Sequence, residues 1–178
     1  MTAPQRPGVT VFLTGLSGAG KSTIADALVA QLEGEGRPVT VLDGDVVRTH
    51  LSSELTFAKE HRDLNIRRIG WVAGEVVKHG GTAVVAAIAP YEAAREEARR
   101  LVEKHGRFVL VHLSTPLEVC EDRDVKGLYA KARAGEIPGF TGVSDPYEPP
   151  ARAELVIDTS VTPLAESVAR IRAELDRD

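Results

Sequence analysis

The stretch Gly15-Leu16-Ser17-Gly18-Ala19-Gly20-Lys21-Ser22 lies between an apolar run, Val9-Thr10-Val11-Phe12-Leu13, and the segment Thr23-Ile24-Ala25-Asp26-Ala27-Leu28-Val29. It spells G-x-x-x-x-G-K-[ST] in the order strand, glycine-rich turn, helix, which is the context that gives the pattern meaning. A polyphosphate is densely anionic, so a ring of backbone N–H groups at a helix N-terminus can hold it, provided no Cβ blocks the approach. Gly15, Gly18 and Gly20 remove that obstacle. Lys21 then reaches the β- and γ-phosphates as a point charge, and the Ser22 hydroxyl is placed to ligate Mg²⁺. A glycine turn that only joined a strand to a helix would not require Lys followed by Ser at this spacing.

The rest of the composition bounds the partners. A chain of 178 residues, 43% hydrophobic and 27% charged, is long enough for one domain with a sizeable core and too short for two ordinary ones. Residues 1–8 read as a flexible lead without the apolar core of a signal peptide, and residues 9–178 as a single domain. No apolar run approaches the length of a membrane span, so a cytoplasmic location is expected. Cys120 is the only cysteine, which excludes an internal disulfide and a thiolate metal cluster. A net charge of −4 offers little attraction to nucleic acid or an anionic membrane, so any cationic function must be local.

Outward from the loop, strand-like and helical patterns alternate. Helical spacing continues to Gly34 and Gly36, followed by the β-rich run Val39–Leu42 and then Asp43-Gly44-Asp45. In a parallel sheet the carboxyl ends of the strands face the ligand crevice, so this acidic pair should lie beside the loop mouth. A helical segment begins at Val46, Ser52 to Ala58 looks irregular, and Glu60 to His79 reads as a long helix. Thr82 to Ala89 is an uninterrupted apolar run, as expected of a strand buried on both faces, and Pro90 ends it. Tyr91 to His105 reads as a charged helix with a solvated outer face. Strand Phe108–Leu113, helix Leu117–Arg123, strand Leu155–Asp158 and helix Leu164–Leu175 complete the pattern. Between them, about residues 124–150, a Gly- and Pro-rich stretch is the candidate lid, with Arg123, Lys126, Lys131 and Arg133 as the cations that could close over phosphates. The expected fold is a three-layer α/β domain with a mostly parallel five-stranded sheet.

The blocks GLSGAGKST, LDGDVVRTHLS, RDLNIRRIG, IAPY, STPLEVCEDRDVKGLYAKARAGEIPGFTG and DPYEPP, in this order, resemble the adenylylsulfate kinase family of P-loop kinases from about Val9 to Leu175. The resemblance implies ATP- and Mg²⁺-dependent phosphorylation of the ribose 3′-hydroxyl of adenosine 5′-phosphosulfate, giving 3′-phosphoadenosine 5′-phosphosulfate in sulfate assimilation. ATP would be bound by Gly15, Ser17, Gly18, Ala19, Gly20, Lys21, Ser22 and Thr23, with Arg123 against the base. The acceptor would be bound by Asp43, Arg48, Arg62, Asn65, Ile88, Pro90, Lys126, Gly127 and Leu128, with Phe57 and Phe140 clamping its adenine. Lys21, Asp45 and Lys126 are the implied catalytic residues. Asp45 would orient or deprotonate the acceptor hydroxyl or, with Ser22, hold the metal directly or through water. A helix-cap role for Asp43, core packing for Phe57, helix-face ion pairs for the arginines and a helix-end charge for Arg123 stay open.

Ala89 stands where the family usually has a serine, and Thr56, Ala58 and His61 also depart from its pattern, all on the acceptor side. Ala89 has no hydroxyl to phosphorylate, so direct in-line transfer is the expected route. A homodimer and a functional link to sulfate adenylyltransferase are left open. Two other functional readings also stand on the sequence: a P-loop kinase of another nucleotide-like or sugar hydroxyl, and a nucleotide-binding regulatory module with weak catalysis.

Overall fold

A computed structural model describes residues 7–177. Residues 1–6 of the expected lead lie outside the described residues. Gly8 is buried, and its carbonyl accepts from Arg107 N at 3.1 Å.

The first strand, β1 (Val9–Gly15), is buried along its whole length and is the centre of the sheet. The loop of residues 16–20 carries it into α1 (Lys21–Gly34). Then follow β2 (Val39–Asp43), α2 (Gly44–Leu51), α3 (Lys59–Lys78) and β3 (Thr82–Ala86). The second half holds α4 (Glu92–Glu103), β4 (Arg107–Leu113), α5 (Leu117–Arg123), α6 (Leu128–Arg133), β5 (Leu155–Ile157) and α7 (Leu164–Leu175). The strand order is β2-β3-β1-β4-β5 and every named pairing is parallel. The sheet therefore reverses direction of growth at β1, and the loop after β1 opens at that switch point, where parallel α/β sheets place their ligands.

Alternate residues of β1 serve two cores. Val11 and Leu13 pack with Ile24, Leu28 and Leu32 of α1 and with Val168 and Ile171 of α7. Phe12 faces the other way, among Ile69, Ala73 and Val77 of α3 and Ala98 and Val102 of α4, with the Phe108 ring 5.5 Å away. A strand sandwiched between two helical layers has no polar face to show, which explains the continuous apolar runs.

Two features depart from expectation. The third strand ends at Ala86; Ala87 N makes one more bond to Leu13 O of β1 at 3.2 Å, beyond which the chain turns away and Ala89 takes a left-handed backbone, φ 45°. The charged helix α4 is not a solvated face throughout: Arg95 is 1% and Arg99 3% exposed. Arg99 reaches this depth because Glu154 receives it at 2.8 and 3.0 Å and the Phe108 ring lies 4.8 Å from its guanidinium carbon. A desolvated guanidinium is tolerated when its terminal nitrogens are paired and its flat face is covered, although the Nε of Arg99 has no hydrogen-bond partner.

Helices α3 and α4 touch through small residues. A Cβ at Gly70 would stand 2.7 Å from the Cα of Ala98, closer than side chains approach. We expect Gly70→Val to lower stability by roughly 1–3 kcal/mol through overpacking, read as a reduced urea midpoint with an unchanged slope.

Candidate active site

One cavity of about 990 Å³ opens over the carboxyl ends of the strands. The loop and the first turn of α1 form one end, with Ser17, Gly18, Gly20, Lys21, Ser22 and Thr23 on its wall. Gly18 and Gly20 have φ of 78° and 98°, a left-handed backbone that glycine adopts without penalty. A Cβ at Gly18 would also stand 2.9 Å from the Cys120 carbonyl. Gly15 and Ala19 do not line the cavity. Gly15 lies under Leu113, and Ala19 is fully buried.

The Lys21 ammonium curls back on its own loop, donating to Gly15 O at 2.9 Å and Leu16 O at 2.7 Å. Burial pulls its pKa down from 10.5 to about 8. The loop's carbonyls are held from outside. Tyr129 Oη donates to Ser17 O at 2.8 Å, Arg123 Nη1 to Gly18 O at 3.0 Å and Thr159 Oγ1 to Ala19 O at 2.8 Å. Arg123 was expected against the nucleotide base. It lines the cavity, and its donors also reach Thr159 Oγ1 and Thr159 O. Thr159 and Tyr129 escaped the sequence reading. The only signal for Thr159 was its place just beyond the carboxyl end of a strand.

The acidic pair after β2 divides its work. Asp43 Oδ1 caps α2, accepting from Asp45 N at 2.9 Å and Val46 N at 3.3 Å, while its Oδ2 accepts from Ser22 Oγ at 3.3 Å. The cap reading for Asp43 is thus correct, and the same carboxylate also faces the loop. Asp45, one residue into α2, pairs instead with Lys126. The carboxylate beside Ser22 is therefore that of Asp43, so the metal role that the resemblance implies for Asp45 would have to run through water. Hydroxyl and carboxylate oxygens are the donors Mg²⁺ prefers, and Ser22 and Asp43 fit such an ion. Among the described residues no cluster of three or more His, Cys, Asp or Glu could hold a metal, so water and phosphate oxygens would have to complete its shell.

The other end of the cavity is cationic and aromatic. Arg48 lies over the Phe57 ring, 4.5 Å from its centroid, and donates to Thr56 O at 3.2 Å. Phe57 is 67% exposed, which excludes the core-packing reading. Burial first, and then the charge of the Arg62 guanidinium, push the Arg48 pKa down, a cost that an anion bound near both would relieve. Arg62 itself is held by protein: Phe57 O at 2.6 Å, Thr141 Oγ1 at 3.2 Å, Asp145 at 3.0 Å and Gly139 O. It ties the 139–145 segment down onto α3. Asn65 is 4% exposed, lines the cavity and has no partner for its Oδ1, a buried acceptor that calls for a donor.

Phe140 packs edge-on to Tyr129 at 5.1 Å, while Ile88, Pro90 and Leu128 complete the wall. Gly127 does not reach the cavity; it begins α6 with φ 65°. Of the four lid cations, Arg123 and Lys126 face the cavity and Lys131 and Arg133 do not. Arg133 sits on the side of α6 toward α5 and pairs with Glu121 at 2.7 and 2.9 Å.

The burial of Lys21 makes anion binding pH-dependent. Phosphate oxygens beside the ammonium raise its pKa in the bound form, so little proton is taken up below the free value of about 8. Above it, the free site is increasingly neutral while the bound site is charged. We therefore expect MgATP to bind with net proton uptake at about pH 9, with affinity falling as pH rises further, and with little uptake from this group at about pH 7. Calorimetry in two buffers of different ionisation enthalpy measures it, and uptake equal at both pH values would contradict the assignment.

Against known proteins, the family model described as adenylylsulphate kinase matches residues 7–158. An adenylyl-sulfate kinase of Microcystis aeruginosa is 58% identical over 92% of this chain and 89% of its own length. One from Gloeothece citriformis is 55% identical over 96% and 95%. Among solved structures, the Mycobacterium tuberculosis APS kinase CysC in complex with AMPPNP and APS superposes with a TM-score of 0.92 at 39% identity, covering 97% of this chain and 99% of that one. With its loop, acidic pair and cationic end all on one cavity, this chain belongs to the adenylylsulfate kinase family.

Proposed function

We propose that this chain transfers the γ-phosphoryl group of MgATP to the ribose 3′-hydroxyl of adenosine 5′-phosphosulfate, giving ADP and 3′-phosphoadenosine 5′-phosphosulfate, the activated sulfate of sulfate assimilation. The observation that carries it is the single cavity with two unlike ends. At about 990 Å³ it lies at the top of the range for small-molecule sites, as two nucleotide-sized ligands meeting end to end require. The likeness to the M. tuberculosis enzyme complexed with AMPPNP and APS supports both ligands.

In this reading the loop amides and Lys21 hold the β- and γ-phosphates, and Thr23 and Arg123 hold the rest of the donor nucleotide. Ser22 and Asp43 would hold Mg²⁺, with Asp45 reached through water. The ion neutralises charge on the transferring phosphate. Arg48 and Arg62 supply the positive field for the acceptor's phosphosulfate, Asn65 Oδ1 accepts from one of its N–H or O–H groups, and Phe57 and Phe140 close on its purine. Ile88, Pro90 and Leu128 shape the acceptor's berth, and Gly127 acts only through the turn that leads Leu128 into α6. Asp45 holds the acceptor hydroxyl and receives its proton as the hydroxyl oxygen attacks the γ-phosphorus and the β–γ bridging oxygen leaves with ADP. Lys126 must first release Asp45, and is then positioned to follow the phosphoryl group as its charge develops.

Transfer runs directly between substrates in this scheme, because the buried alanine at position 89 offers no nucleophile. Residues 9–178 act as a single domain, which one sheet with a helical layer on each face supports. No described helix is long and apolar enough to cross a membrane. We place the reaction in the cytoplasm, where its donor ATP is made. Self-association finds support in a hexameric APS kinase of Thiobacillus denitrificans, 45% identical with a TM-score of 0.74 over 29% of that chain. A link to sulfate adenylyltransferase finds support in a protein of that name from Phaeosphaeria nodorum, 54% identical over 29% of its length.

Steady-state assay of ADP release with adenosine 5′-phosphosulfate as acceptor tests the reading. Lys21→Ala and Asp45→Ala should each lower kcat by about 10²–10³-fold, the scale of losing one preorganised charge. Ala89→Ser should change kcat by less than about threefold, since no step uses that side chain. Radiolabelled phosphate trapped on the protein during turnover would contradict direct transfer, and a folded protein that binds ATP but leaves the acceptor untouched would sink the activity.

A further inference from the structure

Behind the acceptor wall lies a buried polar layer that none of the steps above employs. Residues 88–90 run off the end of β3, and each of their carbonyls is taken from the rear. Thr14 Oγ1 donates to Ile88 O at 2.6 Å, Arg95 Nη1 to Ala89 O at 2.6 Å and Glu148 N to Pro90 O at 2.8 Å. Arg95 is the hub. It is 1% exposed, its Nη2 donates to Glu148 O at 2.6 Å and to the Glu92 carboxylate, and its guanidinium carbon lies 5.6 Å from the Tyr147 ring centroid. The Thr14 proton is committed to Ile88 O, so the Tyr147 hydroxyl donates its own to Thr14 Oγ1 at 2.9 Å. Glu148 closes the circuit, accepting from Glu92 N at 2.7 Å.

Burying a guanidinium costs several kcal/mol, and an apolar residue of similar volume fills such a space more cheaply. What an apolar residue cannot do is hold a carbonyl in place. Ala89 needs that hold: its φ of 45° is a left-handed conformation that costs a residue with a Cβ roughly 1–2 kcal/mol and persists only where the surroundings over-determine it. With Ala89 O released, the turn relaxes toward the ordinary extended backbone, and Ile88 and Pro90, on either side of it, leave their places on the cavity wall. The same guanidinium also fixes Glu148, so the chain returning from the lid is pinned to the wall it closes against.

We propose that Arg95 is a positioning residue for the acceptor: through Ala89 O and Glu148 O it sets the place of the Ile88–Pro90 wall and couples that wall to the return of the lid. This rests on the reading that adenosine 5′-phosphosulfate occupies that end of the cavity. The donor end should be indifferent, because the loop's carbonyls are held by Tyr129, Arg123 and Thr159.

The test is a KM comparison on Arg95→Met, Arg95→Lys and Tyr147→Phe, with melting temperatures recorded alongside. Arg95→Met should raise the KM for adenosine 5′-phosphosulfate about tenfold and leave that for ATP within about twofold, the signature of lost acceptor binding. Arg95→Lys, which keeps the charge but reaches one carbonyl at a time, should recover part of the loss. Tyr147→Phe removes only a hydroxyl, so it keeps the question answerable if Arg95→Met does not fold; it should raise the acceptor KM about threefold. If the acceptor KM stays unchanged while kcat falls with the folded fraction, or if both KM values rise together, Arg95 only stabilises the fold and the inference is overturned. Unsubstituted protein is the control: turnover of this acceptor with unresponsive variants defeats the inference alone, whereas no turnover defeats the functional reading and the inference with it.

Discussion

A positively charged ammonium buried in a loop of its own making is the constraint around which this molecule is arranged. Lys21 Nζ sits between the carbonyls of Gly15 and Leu16, where burial draws its pKa to about 8. Those two carbonyls compensate only part of its lost hydration, and an anion supplies the rest. The carbonyls of Ser17, Gly18 and Ala19 are tied to Tyr129, Arg123 and Thr159. Because a peptide group is planar and trans, fixing a carbonyl also fixes the direction of the next amide, which points the opposite way. A glycine-rich loop thus becomes rigid enough to recognise phosphate through its backbone, using partners contributed by the second half of the chain.

The cavity wall at residues 88–90 is built on the same plan. Three successive carbonyls after β3 are held from behind, as three successive carbonyls of the loop are, and in both places the backbone includes a left-handed residue. Strands β1 and β3 are parallel neighbours, so the two tied-back segments leave the sheet side by side and both line the cavity. A sheet supplies position to within the length of a hydrogen bond, and the carbonyl ties carry that precision into the loops beyond it.

Charge is distributed with the same economy. A chain with a net charge of −4 places Lys21, Arg48, Arg62, Arg123 and Lys126 around one cavity, opposite only Asp43 and Asp45. Several of these cations already have protein partners: Lys126 meets Asp45, and Arg62 meets Asp145. The Lys126–Asp45 pair is exposed on both sides and so is cheaply exchanged for a substrate's charges, whereas the Arg62–Asp145 pair is largely enclosed and holds the lid segment to α3. The first pair is open to exchange, and the second ties residues 139–145 to α3.

The sequence alone determined the periodic elements, the loop and its chemistry. The spacing of the glycines with Lys21 and Ser22 is a local pattern, read within a few residues because phosphate recognition needs contiguous amides. The apolar runs gave the strands for a similar reason, since a strand covered on both faces is built mostly of apolar residues, with threonines such as Thr10 and Thr14 among them. Only the tertiary structure decided which carboxylate stands beside Ser22, because Asp43 and Asp45 are the same residue type and differ in that one caps α2 while the other lies in its first turn. It also decided that Arg95 and Arg99 lie inside, against a pattern that reads as solvated, and that Thr159 and Tyr129 brace a loop more than a hundred residues earlier in the chain. Partners so far apart along the chain leave no periodicity in it: whether a charged side chain is paired and buried or free in water depends on what folding brings against it.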